Sequence, residues 1–516
     1  MTFPTRCTLT VIVITLAATI TKADVPTDNP VAKYDLKWTD AIAWNQVIDI
    51  SNVKGDSLEA RFDDAQKRLP KGGVVYFPAG VYRFQNSLKI QDGIVIRGAN
   101  PKRVTEARKD GYSPPTSFEF PRYIPKVKGN GTPTDTAFKG IYLADPTIAS
   151  HCGVVNVAIN RGHIDFDESE ERKCGKNRLV FGCVLRNAAV AVPNVPSKKI
   201  GQHPWQRFTA RHHAAIHVNS AENALIANNR LPKSGDDNFL QKGYILQKAR
   251  RRGEKLVVTT GVLFDYDNRP GIYVNDYGIG AGGGNGPAGT PKSHPWGFRK
   301  GVEIRDNYIY CSGRGAIAFT GDGTICANNV VRFPKGLMRW TTTGLRQVTG
   351  SGTNDNRAVQ MRGYRWTVEG NDYVVHSNLV APNGSYRIND GEGLMHEAHV
   401  NSSIKDSKLI NNKGNAYISL YRVHGVDGLI VRGNEIHSKG KLAAIFVLSG
   451  YFEKKFPCRG VVIENNVTKN SGILIQGDPA RNNVVRNNRH IGPGGVIQNK
   501  ANAKLNDNRG YKVENR

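Results

Sequence analysis

The stretch "VVIENNV" at residues 461–467 decides the fold, because the same pattern returns as "NVVRNNR" at 483–489. Each copy contains an Asn-Asn pair, and the second residues of the two pairs, Asn466 and Asn488, are 22 residues apart. Further copies of the pattern end on Asn229, Asn307, Asn329, Asn371, Asn412, Asn434 and Asn508. Short β-branched strands repeated at a fixed period predict a solenoid, in which each unit buries its apolar face only against its neighbours.

Asparagine suits the corners of such a solenoid for two reasons. It tolerates the left-handed backbone conformation of a sharp turn between strands. Stacked at the ~4.7 Å strand spacing, it also forms a ladder of side-chain amides. We therefore predict an all-β fold, a single-stranded right-handed parallel β-helix in which Asn412, Asn434, Asn466 and Asn488 stack on one edge.

The N-terminal residues 1–23 predict a secretory signal peptide. Arg6 precedes an apolar run from Leu9 to Ile20, and small residues lead to Ala23. The run is too short for a membrane span. A buried N-terminal strand is the alternative, but a polar segment, "DVPTDNP", follows the run. We expect residues 24–516 to form one β-helix domain, secreted or periplasmic, monomeric and without a transmembrane segment.

Six cysteines remain after the signal peptide: Cys152, Cys174, Cys183, Cys311, Cys326 and Cys458. An even number in an exported protein permits disulfides, and buried free thiols stacked inside a β-helix fit equally well. No Cys-x-x-Cys pair is present, so the sequence does not support a zinc finger or a redox motif.

The chain is strongly basic, with a formal net charge of +27 that becomes +25 once Arg6 and Lys22 leave with the signal peptide. Such a field attracts an anionic partner, and for an exported protein we expect an acidic polysaccharide. Solubility is the alternative reason for the charge. The run "KARRRGEK" at 248–255 has no interleaved aromatic residues and no recognition helix beside it, so we expect no nucleic-acid binding.

Residues 55–99 predict a cap for the N-terminal end of the solenoid. An amphipathic helix is indicated by apolar residues on one face and by a capping box of Asp56 with Glu59. The apolar face consists of Leu58, Phe62, Ala65 and Leu69. The strands "VVYF", "VYRF" and "IVIRG" follow, so the helix covers core and strand edges that would otherwise be exposed.

Two stretches interrupt the repeats, 101–150 and 231–300. Both are too rich in glycine and proline for regular coils, as in "GIGAGGGNGPAG" at 278–289. We expect loop insertions there, and insertions in a solenoid often build the binding face. The glycine run opens no helix in an alternating strand–helix unit, so we do not assign a nucleotide site to it.

The helix and the "GGVVYFPAGVY" strand turn resemble the N-terminal part of the pectate lyase superfamily, the rhamnogalacturonase and epimerase-like pectate lyase domain. With the asparagine coils, the resemblance extends over most of the mature chain and implies the pectin-lyase type of β-helix. It leaves the activity open, because the superfamily includes lyases, hydrolases, epimerases and phage tailspikes.

The densest group of polar residues lies at 387–435. One coil contains Asp390, Glu392, His396, Glu397 and His399, and the next contains Tyr421, Arg422 and His424. Arg422 follows His399 by 23 residues, about one coil, so we expect their side chains to stack on one face. Acid, imidazole, phenol and guanidinium groups in successive layers are the set needed for proton transfer beside a carboxylate.

This segment also resembles the chondroitinase B and alginate lyase family of β-helical polysaccharide lyases. "DGEG" at 390–393 matches its metal-ligand element, and "RVHG" at 422–425 resembles its arginine element with one inserted residue. The resemblance implies a metal ligand at Glu392. Leu394 replaces the second ligand glutamate and His399 replaces the base lysine, so Ca²⁺, which needs six to eight oxygens, is left open.

Three other groups are candidates for chemistry. Asp236 and Asp237 are paired carboxylates of the kind that glycoside hydrolysis requires, although the companion motifs of polygalacturonase-like enzymes are not found. The histidines of "RHHAAIHV" lie in an expected strand, where residues four apart are about 13 Å distant, which argues against zinc. Arg362 and Arg365 in "RGYRW" combine charge with aromatic rings, as a subsite for an acidic sugar requires.

We predict a polysaccharide lyase that cleaves a uronic-acid polymer by β-elimination. Arg422 neutralises the uronate carboxylate, His399 removes the neighbouring proton and Tyr421 protonates the leaving oxygen. Substrate binding is assigned to Arg362, Arg365, His396 and His424. The alternatives are a glycoside hydrolase using Asp236–Asp237 or Asp390 with Glu392, and a non-catalytic polysaccharide-binding protein or adhesin.

Overall fold

The computed structural model describes most of the chain from residue 25 onward. The described residues are 25–121, 139–166, 175–186, 215–218, 220–232, 245–252, 255–262, 272–275, 300–310, 315–332, 357–375, 392–397, 403–438, 442–451, 454–479 and 482–515. The predicted signal peptide lies outside these ranges. No helix in the described part is long and apolar enough to cross a membrane.

Three parallel sheets run the length of the molecule, and the chain visits sheet 2, sheet 3 and sheet 1 in turn. Sheet 1 contains Leu88–Ile90, Gly140–Leu143, His163–Phe166, Ile216–Val218, Ile272–Asn275, Gly315–Asp322, Arg357–Tyr364, Glu392–Glu397, Ile418–Val423, Ile445–Tyr451, Ile473–Gln476, Val496–Lys500 and Lys512–Asn515. Sheet 2 contains Val47–Asp49, Gly73–Phe77, Ile94–Gly98, Cys152–Val155, Arg178–Phe181, Glu222–Ala227, Lys300–Arg305, Ile325–Ala327, Thr367–Glu369, Ile404–Ile410, Val426–Arg432, Pro457–Glu464, Val484–Arg486 and Lys504–Asn506, and Asp478–Pro479 pairs at its margin. Sheet 3 contains Gly80–Arg83, Thr116–Glu119, Ala158–Asn160, Val184–Arg186, Arg230–Leu231, Tyr308–Tyr310, Val330–Arg332, Asp372–Val374, Lys413–Gly414, Glu435–Ile436, Val467–Lys469 and Arg489–Ile491. The predicted parallel β-helix is thereby confirmed.

Few elements depart from the solenoid. The helices are Lys37–Asp40 and Leu58–Lys67, with 3₁₀ turns at Ala32–Tyr34 and Ile50–Asn52. Strands Ile245–Arg252 and Lys255–Val262, which include most of the basic run "KARRRGEK", form an antiparallel hairpin, and Lys454–Lys455 pairs back on the end of Ile445–Tyr451.

The expected loop at 101–150 is not continuous, because Thr116–Glu119 and Gly140–Leu143 are strands of the solenoid. Ile272–Asn275 likewise interrupts the expected loop at 231–300.

The asparagine ladder predicted from the repeat is present in the interior. The amide Nδ2 of Asn412 donates to Oδ1 of Asn434 at 3.0 Å, Asn434 to Asn466 at 2.9 Å, and Asn466 to Asn488 at 2.9 Å. Each Oδ1 also accepts the backbone N–H of the preceding ladder residue, as Asn466 does from Asn434 at 2.9 Å. The ladder runs from Asn229 to Asn508, and it satisfies backbone groups that the corner would otherwise bury unpaired.

The left-handed turn of each corner lies one residue before the ladder asparagine. These corner residues have φ between 48° and 67°, and they are Asn228, Asp306, Asn328, Gly370, Asn411, Gly433, Asn465, Asn487 and Asp507. A Cβ at Gly433 would lie 2.2 Å from Oδ1 of Asn411. The repeated Asn-Asn pair therefore divides two tasks between neighbours, and the sequence interpretation had assigned both to one residue.

The described cysteines lie in the interior as free thiols. Cys152, Cys183, Cys326 and Cys458 are buried and unpaired. Burial raises the pKa of Cys152, Cys183 and Cys458 to about 12, so these thiols stay protonated and unreactive at neutral pH. Of the two possibilities left open by the sequence, buried thiols apply to these four residues.

The N-terminal segment 25–46 packs against the outer face of sheet 2. There Val31, Ile42 and Trp44 form a second apolar cluster with outward residues of sheet 2 that extend from Val74 to Ala227. Fully buried Arg97 donates to a carboxylate oxygen of Asp28 at 2.9 Å. The Tyr34 hydroxyl donates to Asp306 at 3.0 Å, and burial together with Asp306 raises its pKa. This segment covers the N-terminal part of the sheet 2 side, so that part of the surface is not open to a ligand.

Candidate functional site

The connections between strands identify one face of the solenoid as different from the others. Two residues separate sheet 2 from sheet 3 in every coil except the one with the 99–115 insertion. Long connections instead enter or leave sheet 1, at 120–139, 187–215, 232–271, 276–299, 333–356 and 375–391. Insertions on one face of a solenoid commonly build its binding surface. The outer face of sheet 1 is therefore the candidate site, and we call it the groove.

The alternation of side chains along sheet 1 shows which residues face the groove. Val359 and Met361 are fully buried in the core, so the residues that alternate with them, Gln360 and Arg362, face outward. Ile418 and Leu420 are likewise in the core, which turns Ser419 and Tyr421 outward.

His396 does not fit its predicted role in substrate binding. Its side chain is fully buried inside the solenoid, and its ring centroid lies 6.4 Å from that of the buried Trp366. In the sheet it pairs with the core residue Leu420, whereas Glu397 pairs with Tyr421. The reason is the two-residue alternation of a strand, which turns neighbours to opposite faces.

Tyr421 lies on the groove and is half-exposed, with its ring centroid 5.8 Å from that of Phe446 in the next coil. The ladder slips here, because Leu420 pairs with Val447 and Val423 with Ser449. Tyr421 and Arg422 thus oppose the single residue Leu448, which is a β-bulge. Bulges are over-represented next to active sites.

Arg362 and Arg365 differ in their surroundings. Arg362 is half-buried on the groove floor beside Thr320, and no described carboxylate lies within ion-pair distance of it. Arg365 is exposed at the corner after the strand, has a left-handed backbone with φ 52°, and pairs with Asp322. Of these two arginines, only Arg362 presents to the groove a positive charge that has no described carboxylate partner.

His424 stacks on Phe456, with ring centroids 4.6 Å apart and an interplanar angle of 23°. Burial lowers its pKa, so the ring is neutral at neutral pH. Its predicted contact with substrate would then be a hydrogen bond or a stacking contact, and an ion pair with a uronate would need a lower pH.

Several predicted residues lie outside the description. Asp390, His399 and the pair Asp236–Asp237 are outside the described residues, and the side chains of Glu392 and Arg422 are not described. Glu397 pairs with Tyr421, an offset of 24 residues, whereas the sequence analysis had expected an offset of 23 between His399 and Arg422. No cluster of three metal-ligating side chains occurs within the described ranges.

A second group of polar residues faces the groove closer to the N-terminus. The Tyr142 hydroxyl and His163 Nε2 lie 2.8 Å apart, with the rings edge to face at a centroid distance of 5.2 Å. Nδ1 of His217 and a carboxylate oxygen of Asp165 lie 3.2 Å apart. The register places Tyr142, Asp165 and His217 side by side in three neighbouring strands.

Sequence reasoning missed this group, which we call the Tyr142 cluster. The sequence analysis considered His217 only with its neighbours along the chain, whereas Asp165, its partner in the fold, is 52 residues away. The signal was the alternation in "HIDF" and "IHV", where Ile164, Phe166, Ile216 and Val218 form the inward face. Aligning those apolar residues would have aligned Asp165 with His217.

Comparisons with known proteins add little about function. No protein-family model and no curated protein matches the chain. Among solved structures, the surface adhesin PfbA of Streptococcus pneumoniae matches at 12% identity and a TM-score of 0.45, covering 91% of this chain and 92% of its own. The catalytic unit of a GH87 alpha-1,3-glucanase from Streptomyces thermodiastaticus matches at 12% identity and a TM-score of 0.44, with coverages of 91% and 69%. The PL6 family alginate lyase AlyGC matches at 12% identity and a TM-score of 0.42, with coverages of 91% and 53%.

The class that the fold defines is the parallel β-helix protein. The TM-scores of the matched structures lie below 0.5, and their names describe an adhesin, a glucanase and a lyase. The resemblance to the pectate lyase superfamily therefore stays a prediction from the sequence. The particular function is therefore argued from this chain's own residues.

Proposed function

We propose that this protein is a secreted carbohydrate-active enzyme that binds an acidic polysaccharide along the groove and cleaves it by β-elimination at a uronic acid. The observation that carries the proposal is the pairing of two features on one face. Long connections enter or leave sheet 1, and the half-buried Arg362 lies on its outer face without a described acidic partner. A guanidinium group that is partly shielded from water and has no local carboxylate partner is available to a carboxylate of the substrate.

The net charge of +27 supports an anionic substrate. Several described arginines on the other sheets pair with local carboxylates: Arg332 pairs with Asp372, and Arg432 and Arg486 share Glu464. These pairs lower the local positive charge there, whereas Arg362 on the groove has no described carboxylate partner. A polyuronate carries one carboxylate per sugar and matches such a surface.

β-Elimination needs three functions at one sugar. A cation neutralises the carboxylate and acidifies the proton on the neighbouring carbon, a base removes that proton, and an acid protonates the leaving oxygen. The residues assigned from the sequence are Arg422, His399 and Tyr421 respectively. The bulge at Tyr421–Arg422 supports this assignment, because it gives two successive residues a place opposite one residue of the next strand.

The test is to incubate the purified protein with alginate, pectate, dermatan, heparan and ulvan and to identify the products. A lyase produces an unsaturated uronate that absorbs in the ultraviolet. We expect Arg422→Ala to lower kcat/KM by roughly 10²–10³-fold, the loss typical for removing one group that stabilises a developing anion. Arg459→Ala, which removes an exposed arginine paired with Asp427, is the matched control and should keep wild-type activity.

Other products would contradict the proposal in distinct ways. A saturated new reducing end identifies a glycoside hydrolase. Retention of the polymer without turnover identifies a binding protein or adhesin. If Arg422→Ala, His399→Ala and Tyr421→Phe all retain wild-type formation of unsaturated product, the elimination is real but its predicted centre is wrong.

A further inference from the structure

We propose that the Tyr142 cluster is a second proton-transfer centre in the same groove, at which a uronate of the bound polysaccharide undergoes β-elimination. The inference rests on the proposed function for the substrate class. It concerns Tyr142, His163, Asp165 and His217, which no motif or resemblance in the sequence assigned to catalysis. Its centre lies six strand spacings from Tyr421 along sheet 1, about 29 Å at ~4.8 Å per strand.

The cluster is not needed to fill the core of these coils. The packing of these coils is provided by the inward residues Ile164, Phe166, Ile216 and Val218, which all belong to the core. His163, Asp165 and His217 are on the opposite face, yet they are only 3%, 6% and 2% exposed. Burying ionisable groups costs free energy even when they are paired, and apolar side chains at the same positions would carry a smaller desolvation cost. Groups retained at such a cost are candidates for a functional site.

Tyr142 is the member that meets the groove. It is half-buried, whereas its three partners are buried behind and beside it. Lys89 occupies the same column one strand earlier and is exposed. A uronate over Tyr142 therefore has an ammonium group within one strand spacing to neutralise its carboxylate. Gly140 lies beside His163 in the register, and a Cβ there would lie 2.4 Å from the His163 carbonyl oxygen, so glycine permits the close approach of the two strands that holds His163 beside Tyr142.

The elimination balances as a proton relay through Tyr142. The Tyr142 oxygen takes the C5 proton of the uronate while its own proton passes to Nε2 of His163. The C5–H electron pair becomes the C4=C5 double bond, and the bond between C4 and the glycosidic oxygen breaks. The proton on His163 then returns through Tyr142 to the leaving oxygen, so the enzyme ends as it began.

Asp165 and His217 act as positioning residues in this scheme. Asp165 lies two residues from His163 on the same face of the strand, so its carboxylate stabilises the imidazolium that forms when the proton arrives. His217 holds that carboxylate through the 3.2 Å contact at Nδ1. Neither residue needs to touch the substrate, which agrees with their burial.

The experiment isolates this centre by removing the other one. Unsaturated product is measured for the wild type, Tyr421→Phe and the double variant Tyr142→Phe/Tyr421→Phe, on the acidic polymer that the wild type cleaves best. In the Tyr421→Phe background, we expect Tyr142→Phe to lower kcat at least 100-fold with little change in KM, since a proton relay acts on the transition state. Tyr310→Phe, a half-buried tyrosine on sheet 3, is the matched control in that background.

His163 gives a second readout that a structural role would not move. In the same background we expect His163→Ala to lose activity and added imidazole to restore part of it, because the base is replaced in its own cavity. Wild-type kcat in Tyr142→Phe/Tyr421→Phe, or a Tyr421→Phe variant with no product at all, overturns the second centre and leaves the proposed function standing. No unsaturated product from the wild type on any polymer overturns both.

Discussion

At the scale of single residues, the fold depends on the Asn-Asn pair. The first member of the pair turns left-handed, and the second is a buried amide that donates and accepts along the axis, as Asn465 and Asn466 do. Because the second member joins three coils, its loss affects neighbours above and below. The ladder residues should therefore be among the least replaceable polar positions in the chain.

Asn434→Ala should destabilise the protein by roughly 2–4 kcal/mol. The change leaves the N–H and the Nδ2 of Asn412 and the carbonyl of Leu409 without their present partner, and each unsatisfied buried group costs about 1–3 kcal/mol. Equilibrium denaturant unfolding measures the loss.

Asn508→Ala is the matched control for this prediction. Asn508 makes the same ladder contacts to Asn488, but it is half-buried in the last coil, where water replaces the lost amide. We expect a loss near ~1 kcal/mol there. Equal losses at Asn434 and Asn508 would show that the ladder gains nothing from burial.

The same scale explains which side chains a strand pattern can orient. Tyr421 and Arg362 face the groove because each lies in a clear apolar alternation, and their roles stay predictions. His396 was misplaced by one step of that alternation, which turned it into the core. The Tyr142 cluster escaped because the pairing of Asp165 with His217 depends on a coil-to-coil offset, and connections of irregular length hide that offset in the sequence.

At the scale of elements, the capping helix Leu58–Lys67 formed where the sequence predicted it, but with a different cap. Ser57 accepts the N–H of Ala60 at 3.1 Å, whereas the sequence analysis had paired Asp56 with Glu59. Glu59 instead accepts the N–H groups of Gln85 and Asn86, both at 2.7 Å. The carboxylate thus joins the helix to a turn in the next coil, a long-range use that local motif reasoning does not reveal.

Phe62→Ala should destabilise the protein by about 3–5 kcal/mol, the usual cost of removing a buried aromatic side chain. Phe62 is fully buried, and its ring lies 6.3 Å from that of Phe77 in sheet 2. Thermal and denaturant unfolding would report the loss. Asp63→Ala, an exposed change on the same helix, should alter stability by no more than ~0.5 kcal/mol. A mild effect at Phe62 would mean that the solenoid end is stable without its cap.

At the scale of the whole molecule, the repeat predicted the solenoid and its single ladder edge. The sequence did not predict which face would become the groove, because that depends on where long connections leave the coil. Once strands are assigned to sheets, the answer is clear: almost all long connections meet sheet 1. The sequence analysis had seen only two irregular stretches and no common side for them.

The net charge of +27 leads to a prediction about salt. Binding of an acidic polymer should weaken steeply as salt rises from ~0.1 to ~1 M, because the electrostatic reach shrinks from ~10 to ~3 Å. Affinity measured by titration at several salt concentrations tests this, and Arg362→Ala should reduce the slope. A neutral glucan serves as the control ligand. Salt-independent affinity, or equal affinity for the glucan, would remove charge as the basis of recognition.

The N-terminal segment 25–46 also bears on how the gene can change in length. Its contacts Asp28–Arg97 and Tyr34–Asp306 fasten residues 28–34 to two particular coils, so the number of coils between Arg97 and Asp306 is set by the span of those residues. Segment 25–46 makes no described contact of this kind beyond Asp306, so it does not fix the number of coils there. A duplication of the 22 residues from Asn466 to Asn488 adds one coil whose asparagine continues the ladder. Descendants of this gene should therefore lengthen or shorten in the C-terminal half, one coil at a time.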